Sequence, residues 1–173
     1  MKSVLRAAVA AFGSAVLLLA GTTAANAAPA DEEATYVHIV NRNSGQCLAV
    51  PGGSTQQGTG LIQWGCGSWN DHYWTFRYAF SSGGLNYYQL ENLNSHQCLA
   101  VPGASTQQGT QVIQWPCGTW KDHYWGVRPT SNGAQLVNWN SRQCLAIEGG
   151  SLTAGAKAIQ WPCGTWRDHY WTW

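Results

Sequence analysis

Charge is scarce in this chain. Asp, Glu, Lys and Arg make up 10% of 173 residues, with 9 basic against 8 acidic side chains. Without a basic surplus, neither nucleic acid nor an anionic membrane is expected as partner, since both require a positive surface. So few charges also leave little for long-range steering of a ligand. No Cys-x-x-Cys pair occurs, which argues against zinc and leaves no metal or cofactor expected. After residue 27 no segment sustains an apolar period of 3.6 residues, so a helical fold is excluded. Nor is any later stretch apolar enough to span a bilayer, so no membrane insertion is expected. No Asn-x-Ser/Thr acceptor is present either.

What apolar run there is sits at the N terminus. Lys2 and Arg6 precede Ala7 to Ala20, and Ala25-Asn26-Ala27 follows as a small-x-small site. Residues 1–27 therefore read as a secretory signal peptide, and the protein as secreted. The run has 14 residues, short of the roughly 20 that a spanning helix needs. Its removal leaves 7 Lys+Arg against 8 Asp+Glu, a net charge of −1. Residues 28–35 read as a flexible acidic segment. Residues 36–173 suit one domain, with no room for a separate catalytic one. A monomer is expected.

Three copies of one stretch fill that domain. Cys47-Leu-Ala-Val is followed by Ile62-Gln-Trp-Gly-Cys-Gly-Ser-Trp-Asn-Asp-His-Tyr-Trp74. The pattern recurs from Cys98 to Trp125 and from Cys144 to Trp171. Self-similarity at this period means units that cannot bury an apolar face alone. All six cysteines lie in the repeats, 19 residues apart within each: Cys47 and Cys66, Cys98 and Cys117, Cys144 and Cys163. An even count in an exported chain reads as disulfides, and the repetition favours one bridge per repeat.

Each repeat opens on an alternating segment: Tyr36–Val40, Tyr87–Leu90 and Gln135–Trp139. An Asn-Ser turn follows, then the Cys-Leu-Ala strand, then a third strand such as Leu61–Trp64. The Asp-His-Tyr-Trp segment leads into a fourth. Ser81–Gly84 and Thr130–Gly133 read as loops between repeats. The class is all-β, with about four short strands per repeat and twelve in all.

From Tyr36 to Trp173 the pattern resembles the ricin-type β-trefoil, the R-type lectin domain. That family carries Cys-x-Asp early in each repeat, Gln-x-Trp-x-Cys in the middle and Asn-Gln-x-Trp near the end. The resemblance implies a β-trefoil of three pseudo-equivalent four-strand repeats, about 36–80, 85–128 and 134–173. It also implies a shallow sugar site per repeat, with an early Asp and an aromatic platform. The physics is general: a pyranose offers polar edges and a weakly apolar C–H face, which a carboxylate beside an aromatic ring reads together.

Carried over residue by residue, the platform is Trp64, Trp115 and Trp161. The Asn of Asn-Gln-x-Trp is replaced by Asp71, Asp122 and Asp168, and the Gln by His72, His123 and His169. The early Asp is missing, with Ala49, Ala100 and Ala146 in its place. Its bracing Gln is replaced by Ile62, Ile113 and Ile159, while Gln63, Gln114 and Gln160 stand one residue later, on the other face of a strand. A galactose site built on the early Asp is therefore not expected.

Two readings of the Trp-Asp-His-Tyr set stand open. In one, the carboxylate has moved to Asp71, Asp122 and Asp168, and Trp69, Trp120 and Trp166 add aromatic surface, giving a glycan- or polysaccharide-binding module with up to three weak, altered sites. In the other, Ala49, Ile62, Trp64 and Trp74 pack together and the Asp bonds to local backbone. Trp74, Trp125 and Trp171 are expected in the core on either reading. Lys121 and Arg167, just before the Asp, are candidates to pair with it. Catalysis is not expected: Asp71 and His72, as strand neighbours, would face opposite ways, and no Ser or free Cys nucleophile accompanies them. The alternative function is a protein-binding or inhibitory trefoil scaffold without sugar binding.

Overall fold

The computed structural model describes residues 34–173. The stretch 1–27 read as a signal peptide, and most of the segment 28–35, lie outside the described residues. Thirteen strands follow in chain order. The first repeat holds β1 (Val37–His38), β2 (Val40–Asn41), β3 (Cys47–Ala49), β4 (Ile62–Trp64) and β5 (Tyr73–Ser82). The second holds β6 (Leu85–Asn92), β7 (Gln97–Ala100), β8 (Ile113–Pro116) and β9 (Trp125–Thr130). The third holds β10 (Gly133–Asn138), β11 (Cys144–Ile147), β12 (Ala158–Trp161) and β13 (Trp171–Thr172).

The count exceeds twelve because the first strand breaks at Ile39. The two pieces serve different neighbours: β1 pairs with β5 and β2 with β13. The order β1-β5-β6-β9-β10-β13-β2 thus closes on itself as a six-stranded barrel. The hairpins β3–β4, β7–β8 and β11–β12 lie off this ring and are joined to one another by the bridges Gly60 to Ile113, Ile62 to Lys157 and Gln111 to Ile159. This is the β-trefoil: an all-β barrel with a three-hairpin cap.

The expected inter-repeat loops are tighter than the sequence suggested. Strand β5 runs through Ser82 and β6 begins at Leu85, leaving a two-residue turn. Gly83 and Gly84 both take positive φ, the geometry that matches the twist of flanking strands. Likewise Thr130 and Gly133 belong to paired strands.

The core is built in threes. Trp74, Trp125 and Trp171 are fully buried, as are Leu48, Leu99 and Leu145. Each tryptophan donates its indole N–H to the carbonyl of the matching leucine at 3.0 Å. The bond satisfies the one polar atom of an otherwise apolar ring. Disulfides join Cys47 to Cys66, Cys98 to Cys117 and Cys144 to Cys163, with Cα separations of 5.0, 4.9 and 4.9 Å. Each ties the start of a cap hairpin to the loop that carries the candidate site.

Candidate functional site

Site geometry begins at a turn. The Asp-His segment is no strand: Asn70–His72, Lys121–His123 and Arg167–His169 are each one turn of 3-10 helix, closed by the His N–H on the carbonyl of Trp69, Trp120 or Trp166. Neighbouring side chains therefore do not alternate. His72 Nε2 lies 3.5 Å from Asp71 Oδ2, and the other two pairs stand at 3.7 Å. The opposite-face expectation for these pairs is corrected on that ground.

The backbone of each turn is held by the following repeat. Asn92 donates to the Asp71 carbonyl at 2.9 Å, Asn138 to that of Asp122 at 2.7 Å, and Asn41 to that of Asp168 at 2.7 Å. These asparagines are buried and were not singled out from the sequence. The signal was there in Asn-x-Asn-Ser, repeated at Asn41, Asn92 and Asn138.

The acid side chains behave differently from their backbones. Asp122 and Asp168 are only 6% and 7% exposed, yet none of the three carboxylates accepts a hydrogen bond among the described residues. The reading in which they bond to local backbone fails for the carboxylate oxygens. Pairing with the preceding cation also fails: Arg167 donates to the Arg42 carbonyl at 3.3 Å, and Lys121 makes no ion pair among the described residues.

Burial holds the pKa of His72, His123 and His169 below the ordinary value of 6.5, partly offset by the adjacent carboxylate. Their Nδ1 atoms are buried without a hydrogen-bond partner among the described residues. Each acid is thus backed by an imidazole whose protonated form burial disfavours.

The indoles divide into two kinds. Trp69, Trp120 and Trp166 are each 58% exposed. Their rings lie across Gly67, Gly118 and Gly164, where an added Cβ would stand 2.1, 2.0 and 2.0 Å from the six-membered ring. Each also packs against the histidine ring of its turn, at 5.2 to 5.3 Å. Trp64 is 46% exposed, whereas Trp115 and Trp161 are partly buried. These three lean on glycines of a neighbouring repeat, Gly155, Gly58 and Gly109.

Each repeat thus encloses a pocket. The first, about 450 Å³, has Ala49 and Ile62 in its lining, with Trp64, Trp69, Asp71 and His72 around it. The second repeats this with Ala100, Ile113, Trp115, Trp120, Asp122 and His123, also about 450 Å³. The third, about 500 Å³, has Ala146, Ile159, Trp161, Trp166, Asp168 and His169, plus Glu148 where the others have proline. All nine residues expected at the sites line these pockets. Gln63, Gln114 and Gln160 do not: they are buried on the opposite face, donating to loop carbonyls of the preceding repeat. His38, Cys47 and Cys66 cluster within 4.8 Å, but both sulfurs are spent in a disulfide, so no thiolate is offered there to a metal.

A family model described as the ricin-type beta-trefoil lectin domain matches residues 35–171. The chain belongs to that family. These ricin-type lectin domains bind carbohydrate and are generally not enzymes. No curated protein matches the sequence. Among solved structures, the ricin-type fold here is similar to the designed three-fold symmetric protein ThreeFoil, at 29% identity and a TM-score of 0.74, covering 79% of this chain and 96% of that one. It is also similar to the Macrolepiota procera ricin B-like lectin, solved with lactose, at 18% identity and a TM-score of 0.65, covering 80% and 94%. A third likeness is to an exo-beta-1,3-galactanase from Clostridium thermocellum, at 21% identity and a TM-score of 0.75. This ricin-type chain spans only 30% of that enzyme's length, with 82% of itself covered.

Proposed function

We propose that this protein is a secreted glycan-binding module whose single domain presents three weak saccharide sites, one per repeat, rebuilt around Asp71, Asp122 and Asp168. The observation that carries the reading is the unpartnered carboxylate beside an exposed indole, present three times. A carboxylate at a pocket wall, held by no donor of the protein's own among the described residues, has acceptor positions free for a ligand. Sugar hydroxyls are donors for them, and the adjacent indole offers the apolar face that a pyranose ring can cover. Alanine and isoleucine, replacing the family's acid and amide, make the lining apolar at Ala49, Ile62 and their equivalents. The polar end of the ligand is thereby directed to the 3-10 turn. Support for carbohydrate as the ligand class comes from family membership and from the lactose complex of the Macrolepiota lectin.

The test is a glycan array followed by polysaccharide pull-down, with wild type against Asp71→Ala/Asp122→Ala/Asp168→Ala. Retention by wild type and loss in the triple variant is expected. Equal retention of both removes the carboxylates from the site.

A further inference from the structure

The pseudo-symmetry supplies an internal control for anything that occurs at one repeat junction alone. One such feature is the arginine pair at the junction of the third and first repeats, where Arg42, Asn132, Thr165, Arg167 and Tyr170 line a cavity of about 210 Å³. The cavity lies across the turn Arg167–His169 from the third indole pocket: Trp166 and Asp168 line the pocket, while Thr165, Arg167 and Tyr170 line the cavity.

Its two arginines are exposed and free of ion pairs: among the described residues, neither guanidinium stands within 4.0 Å of a carboxylate. Arg167 reaches back to the Arg42 carbonyl at 3.3 Å, which draws its cation over the cavity and away from Asp168. Tyr170 is 6% exposed and lines the cavity, and its hydroxyl makes no hydrogen bond to another described residue and is not among the buried unpartnered atoms. At the two equivalent junctions the arginine pair is replaced by Asn70 with Leu93 and by Lys121 with Trp139. There Tyr73 instead packs at a tilt on His38, and Tyr124 packs edge-on against Phe80. Neither of those junctions can offer two guanidiniums.

We infer that this cavity is an oxyanion site that takes the sulfate or carboxylate group of an acidic glycan. Planar guanidiniums donate paired N–H groups to such oxygens, and the Tyr170, Thr165 and Asn132 side chains add neutral donors. The oxyanion rests on the cavity alone; the glycan as its carrier rests on the lectin reading above.

The experiment compares retention on dextran sulfate with retention on neutral dextran, and competes the former with inorganic sulfate. Arg42→Gln/Arg167→Gln weakens dextran sulfate binding about ten-fold. Lys121→Gln/Lys157→Gln, which removes the same charge from exposed positions elsewhere, changes it by less than about two-fold. Tyr170→Phe, which deletes one hydroxyl without altering charge, weakens it about three-fold. Equal losses in the two double variants overturn the site, because net charge then explains both. No loss in Arg42→Gln/Arg167→Gln overturns it as well. If inorganic sulfate binds as tightly per group as the polymer, the carrier assignment falls and a free anion is the ligand. Neutral-glycan retention in Arg42→Gln/Arg167→Gln should equal wild type, so failure here leaves the three indole pockets standing, and failure there leaves the oxyanion site standing.

Discussion

At the scale of single residues, three glycines fix how the outer indoles stand. Gly67, Gly118 and Gly164 need no unusual φ; what they supply is bare surface under a tryptophan ring. Gly118→Ala would force Trp120 off its seat, because the new methyl would sit 2.0 Å from the ring. The expected outcome is loss of the second site in a glycan titration, with unfolding free energy changed by about 1 kcal/mol or less, because the displaced Trp120 ring is 58% exposed and can swing into solvent. The histidines give a pH prediction. Burial depresses their pKa in the fold, so below 6.5 the unfolded chain binds protons that the folded chain does not. Stability present above pH 6.5 is lost as pH falls toward the depressed values. Urea midpoints measured from pH 7.5 down to 5 should decline, and His72→Gln/His123→Gln/His169→Gln should flatten that slope.

At the scale of elements, the 3-10 turn and the strand of the next repeat form one unit. Asn138→Ala leaves the buried Asp122 carbonyl without its donor and should cost about 1–3 kcal/mol. Because Asn138 belongs to the third repeat, the damage to binding should appear in the second site, which site-resolved tryptophan signals can check. The turn itself was not legible from residue pattern. Asp-His-Tyr-Trp leads into the long strand β5, and nothing in Asn70-Asp71-His72 distinguishes a strand start from one helical turn. The cap disulfides were legible, from even spacing and repetition. Replacing Cys98 and Cys117 by serine reopens a loop of about 20 residues and should cost roughly 3 kcal/mol in urea unfolding.

Across the whole molecule, the three pockets are built from cap hairpins and 3-10 turns of one domain, and the inner indole of each leans on a neighbouring repeat. A polysaccharide that reaches two or three of them should bind about 10²-fold more tightly than its monosaccharide unit. Stepwise Trp69→Ala, Trp120→Ala and Trp166→Ala substitutions should reduce that gain in stages, as isothermal titration would record. The same interdependence means that no repeat folds alone. Gln63 of the first repeat donates to Ser151 and Thr153 of the third, and β2 pairs with β13 across the ring closure.

Local pattern determined the all-β class, the three-fold repetition, the pairing of cysteines and the burial of Trp74, Trp125 and Trp171, because those depend on alternation, spacing and composition along the chain. Exposure of Trp64 was open in sequence and was decided in space, where Gly155 of another repeat forms part of its bed. The arginine cavity was likewise invisible: Arg42 and Arg167 are 125 residues apart and meet only when the barrel closes. Contacts of that kind depend on which repeat comes to lie beside which, and linear order does not encode them.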